Sequence, residues 1–154
     1  MSWFNYYGLV IMVIIMIPNI VYAVRHKNSA VGVYDNKAAV IAEQIGRYGC
    51  FALMVFNIPY TYFGFYFTFG QAVYLIVNAV LLAAYCFIWI ILRNKSGMVK
   101  AVLLSVIPSV IFVFSAVMIV SIPLLVFAVI FAAAHILISV KSVPSENGVA
   151  KKER

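Results

Sequence analysis

Acid is nearly missing from this sequence. Four Asp or Glu stand among 154 residues, beside eleven Lys or Arg, two His and two Cys. That inventory is thin for an enzyme. No nucleophile sits at a useful spacing from a base, and His and Cys do not recur at metal-ligand spacing. The reading is therefore no cofactor, no metal and, on balance, no catalysis. Charge of either sign is scarce too. Charged residues make up 10% of the chain and hydrophobic residues 66%. A soluble domain has about 25% charged and about 45–50% apolar residues, so a water-facing surface cannot be built from what is left. Alternating strand patterns are absent, which argues against a membrane barrel. No internal repeat is visible.

What is present is long, uncharged and greasy. Mean hydropathy is +1.09. Residues 1–24, 48–92 and 101–140 contain no Lys, Arg, Asp or Glu. A membrane-spanning helix takes about 20 apolar residues, so the first run fits one span and the other two fit two each. The fold class expected is all-α, an integral membrane bundle of five helices over 1–141. The spans fall at 4–24, 38–57, 71–92, 99–120 and 123–140, and a disordered polar tail follows at 142–154. The first run lacks a basic leader and a clear cleavage site, so it is taken as a retained span. Cys50 and Cys86 fall inside spans and read as small core residues. Pro59, Pro108 and Pro123 read as kinks and turns. YTYFGFYFTF, residues 60–69, has seven aromatics and reads as a connection lying in the outer interface, where ring and polar tip are both satisfied.

The net charge is +7, yet the cations form no patch for nucleic acid. They flank the apolar runs. With the N-terminus outside, the inner segments 25–37, 93–100 and 141–154 hold ten of the eleven basic residues, and the outer segments hold none. Cytoplasmic loops carry this excess. The C-terminus is then cytosolic, and the expected location is the plasma membrane.

The exception is Arg47, in EQIGRYGC. Glu43 stands four residues before it, so the two side chains meet on one helical face. Each charge near a helix centre costs about 2.5–3.5 kcal/mol on insertion scales. Pairing offsets part of that cost. Glu43, Gly46, Arg47, Cys50, Met54 and Asn57 share an arc of about 100°. Ala42, Gly46 and Cys50 form a ladder of small residues that admits a close neighbour. Counted from the flanking cations, Asn19, Glu43, Ser105 and His135 all lie about 8–9 Å in from the cytosolic side. The expected inner-half polar cluster is Asn19, Glu43, Arg47, Ser105 and His135, with Gln44 and Ser109 near it and Asn57 and Asn78 further out. Three readings of Glu43–Arg47 stand together. It is a self-satisfied packing pair, or a pair at the headgroups of a late-starting helix, or a site open to the cytosol where Arg47 holds an anion and Glu43 or His135 handles a proton.

YYGLVIMVIIMIPNIVYAVRHK (6–27) and EQIGRYGCFALMVFNIPYTYFGF (43–65) resemble a group of small multi-pass membrane proteins of Gram-positive bacteria. The resemblance implies a bacterial plasma-membrane setting and carries no chemistry with it. The functional expectation is a small transporter or accessory membrane subunit that uses the polar cluster. The rivals are a non-catalytic assembly, immunity or sensor protein and, ranked last, an enzyme acting on a lipid. The expected partners are the lipid bilayer and either a second copy or another membrane protein.

Overall fold

An apolar run must satisfy its backbone N–H and C=O groups from within, and helices do so. The computed structural model describes residues 3–25, 36–61, 63–92 and 97–142. Among them the chain forms five α-helices and no strand: α1 Tyr6–Arg25, α2 Lys37–Val55, α3 Gly70–Ile91, α4 Met98–Met118 and α5 Ile122–Lys141. Helices α2 to α5 are each long and apolar enough to cross a membrane. The fully described part of α1, Tyr6–Val21, is apolar but shorter. The expectations for the tail and for Lys27, Arg93, Lys95, Lys151, Lys152 and Arg154 lie outside the described residues.

Local chemistry sets the helix ends. Asn36 caps α2, its side-chain oxygen accepting from the N–H groups of Ala38 and Ala39 at 3.1 and 3.3 Å. Pro123 sits in the first turn of α5, where no backbone donor is lost. Two ends come earlier than the hydropathy suggests. α2 stops at Val55 because Phe56 turns extended and pairs with Phe4. Asn5 N–H donates to the Val55 carbonyl, Asn57 N–H donates to the Trp3 carbonyl, and Trp3 stacks on Phe56. α4 stops at Met118 in a Schellman closure. Ser121 N–H bonds the Ala116 carbonyl and Val120 N–H the Val117 carbonyl. Val120 has φ +52° there, a left-handed position that usually takes glycine.

The helices pack as a ring in the order α1, α2, α5, α4, α3, with α3 closing back on α1. The α2–α5 interface is the most extensive and α1 makes the lightest contacts. Glycine explains the first of these. A Cβ on Gly46 would lie 2.7 Å from the Phe131 backbone nitrogen, and one on Gly49 would strike the Phe127 ring. Gly46 belongs to the ladder of small residues, and this is where α5 comes closest. The centre is filled by Cys50, Met54, Tyr74, Leu82, Ile111, Phe112, Leu124, Ala128 and Phe131. Phe112 meets Phe131 edge-on at 5.2 Å between centroids. The connection from α2 to α3 leaves Tyr60, Phe63, Tyr66 and Phe69 exposed, with Tyr60 at φ +68° and Gly64 at φ +86°.

Candidate functional site

Helix α2 is the least apolar of the four long helices, and its charges explain that. Glu43 is buried, at 5% exposure. Its Oε1 accepts from an Arg47 Nη and from His135 Nδ1, the latter at 3.1 Å. Its Oε2 accepts from Gln44 Nε2 at 3.3 Å. An ionised carboxylate has no proton to give, so the imidazole presents Nδ1–H to it. Phe131, one turn earlier on α5, stacks on the His135 ring at 4.7 Å and 18°. The carboxylate thus ties α2 to α5 across the interface that Gly46 and Gly49 make close.

Arg47 faces inward, and it is not enclosed. It shares a helical face with Cys50 and Met54, three and seven residues on, and both are fully buried. The Arg47 side chain is nonetheless 36% exposed. Asn19 repeats the pattern on α1. It follows the buried Ile15 by one turn on the same face and is itself exposed. Asn19 and Arg47 are thus both partly open, on two helices that adjoin in the ring. Tyr85 of α3 is buried beside Asn19, at 1% exposure. Its hydroxyl donates to Asn19 Oδ1 at 3.1 Å, and Asn19 Nδ2 donates to the Ile15 carbonyl at 3.2 Å. Pro18 frees the Ile14 carbonyl, so the Asn19 amide bonds the carbonyl beside the freed one.

The structure brings Glu43, Arg47, His135 and Gln44 into one bonded group. Asn19 lies apart from it, paired with Tyr85. Ser105 turns to its own helix, its hydroxyl donating to the Val102 carbonyl at 3.0 Å, and Ser109 donates to the Ser105 carbonyl at 2.8 Å. A hydroxyl that finds an acceptor one turn back has no need of a partner across the bundle. Asn57 is buried near the N-terminal pairing. Asn78 is buried on α3, donating to the Tyr74 carbonyl and accepting from Ser115. Depth along the chain does not reveal Tyr85, because a tyrosine inside an apolar run reads as one more ring. Its signal was the spacing Tyr74, Asn78, Leu82, Tyr85, which puts polar tips on the buried face of α3.

A guanidinium keeps donors beyond the one given to Glu43, and the open part of the Arg47 side chain can present them to an anion. Glu43 balances the charge of Arg47. Comparison with protein-family models, with characterised proteins and with solved structures finds no match for this chain.

Proposed function

We propose that the chain is a five-span protein of a Gram-positive plasma membrane, N-terminus outside and C-terminus in the cytosol. Its work is done in the vestibule lined by Asn19, Arg47 and Tyr85, which opens to the cytosol. Arg47 holds an anionic group there, and the Glu43–His135 pair carries an exchangeable proton. The protein is a small transporter or the accessory subunit of one, and a second copy or a partner membrane protein completes the path. Helix α1, at 20 residues, reaches about 30 Å, the thickness of the hydrocarbon core. The distribution of cations supports the orientation.

One observation carries the reading: Arg47 lies on a face whose neighbours are fully buried, yet over a third of its side chain is open. A purely structural ion pair on that face would be closed. Labelling tests it. With Cys50 and Cys86 replaced by Ala, Asn19→Cys should react with a membrane-impermeant maleimide in inside-out vesicles and not in intact cells. Protection in both preparations refutes the vestibule. Labelling from outside refutes the orientation.

The assembly reading keeps one supporting observation. Both Glu43 oxygens are satisfied within the chain, in the most closely packed interface of the ring. Under that reading Asn19→Cys stays unreactive from either side.

A further inference from the structure

A groove of about 410 Å³ lies between α1 and α3. Val10 and Ile14 of α1 line it, with Leu75, Ala79, Ala83 and Cys86 of α3. The sequence makes the gap. Ala79, Ala83 and Cys86 follow one another at four- and three-residue spacing, so one face of α3 presents small side chains. The head of α1 is drawn to α2 instead. Asn5 N–H bonds the Val55 carbonyl, and a Cβ on Gly8 would strike the Met54 carbonyl. At the other end α1 and α3 are joined by the Tyr85–Asn19 bond. The groove runs up to that bond. Cys86 adjoins Tyr85 in the chain, and Ile14 adjoins Ile15, whose carbonyl accepts from the Asn19 amide. Arg47 lies within electrostatic reach of Tyr85. An apolar groove and a partly open cation thus stand on either side of one tyrosine.

We propose that the anion held at Arg47 is the carboxylate of a long-chain fatty acid, with its hydrocarbon chain in the α1–α3 groove. This substrate class rests on the reading of Arg47 as an anion holder. Charge and length select it. The groove is lined by uncharged residues, so it suits a chain and no headgroup. Leu75 and Cys86 are about 16 Å apart along the helix, at about 1.5 Å per residue. Half the hydrocarbon core is about 15 Å thick, which is the reach of one acyl chain. Glu43 already balances Arg47, so a singly charged head is desolvated there at less cost than a doubly charged phosphate. A planar carboxylate also matches the free N–H groups of a guanidinium. With the Cys86 end toward the cytosol, head and tail point as they do in the inner leaflet.

Photo-cross-linking tests this. The probe is palmitic acid with a diazirine near the end of its chain, added to the full chain in lipid vesicles and mapped by peptide mass spectrometry. The groove between α4 and α5, about 330 Å³ and lined by residues such as Val110 and Val113, meets the same bilayer and is the internal standard. Val10, Leu75 and Ala79 should be labelled several-fold more than Val110 and Val113. Unlabelled palmitic acid should remove the excess, and its methyl ester should not. Equal labelling of the two grooves overturns the proposal. So does an ester that competes as well as the acid, which would mean that any lipid chain fits. Stronger competition by a lysophosphatidic acid overturns the carboxylate. Ala83 is exposed in the groove, so Ala83→Phe fills it without entering the core and should abolish the excess. Arg47→Gln should reduce it several-fold, and unchanged labelling in either variant overturns the proposal. Asn19→Cys that reacts from the cytosolic side, in a protein without acid-dependent labelling, keeps the vestibule and removes the fatty acid.

Discussion

Removing one member of the Glu43–Arg47 pair should hurt unequally, and the order of the damage reports where Arg47 points. In Arg47→Leu the carboxylate of Glu43 stays buried, at 5% exposure, with His135 and Gln44 as its remaining partners. Stranding one partner of a buried pair costs about 3–5 kcal/mol. Arg47 is partly open, so screening had already weakened the pair, and about 2–3 kcal/mol is the expected loss. Glu43→Gln strands Arg47 instead. The glutamine oxygen still accepts from His135, and the guanidinium is partly open. About 1 kcal/mol is expected. The double variant Glu43→Gln/Arg47→Leu leaves no unpaired charge and should recover most of the loss of Arg47→Leu, a coupling of about 2–3 kcal/mol. Reversible unfolding of the four proteins in mixed micelles reads all three quantities. If Glu43→Gln proves the more damaging single change, the arginine is stranded in hydrocarbon, and the inward-facing vestibule is wrong.

Two further substitutions probe the frame. Gly46→Ala places a Cβ 2.7 Å from the Phe131 backbone, which cannot yield as a side chain would. It should lower stability by about 1–3 kcal/mol and weaken a Glu43-to-His135 cross-link, and an unaltered melting curve would show that α2 and α5 stand further apart. Val120→Gly relieves a left-handed valine at φ +52°, worth about 1–2 kcal/mol. Set against the backbone entropy of glycine, about 0.5–1 kcal/mol, the variant should melt slightly higher. A lower midpoint would show that the packing of the Val120 side chain outweighs the strain.

Much of the frame is legible because the punctuation is chemical. Cations, Asn36 and Pro123 bound the apolar runs, and the helices begin and end within two residues of the expected spans. The misses come from what hydropathy does not encode. Phe56 leaves the helix for a partner more than fifty residues back in the chain, and Val120 is bent by the closure of α4. At the candidate site, Glu43 and Arg47 announce themselves by charge in a run that has almost none, and His135 follows from counting residues from Lys141. Counting gives depth and not rotation. Ser105 lies at the right depth and bonds its own backbone, while Asn19 finds Tyr85, whose hydroxyl is hidden in a residue that hydropathy treats as a ring.

The ring order bears on how such a chain gets made. Synthesis runs from α1 to α5, yet the widest contact of α2 is with α5, the last helix to emerge. Glu43 therefore enters the bilayer well before His135 has been translated. Arg47 travels on the same helix, one turn away, and arrives with it. The carboxylate is chaperoned by its own segment until the final helix docks, which lets a charged helix leave the translocon before the surroundings that will bury it exist.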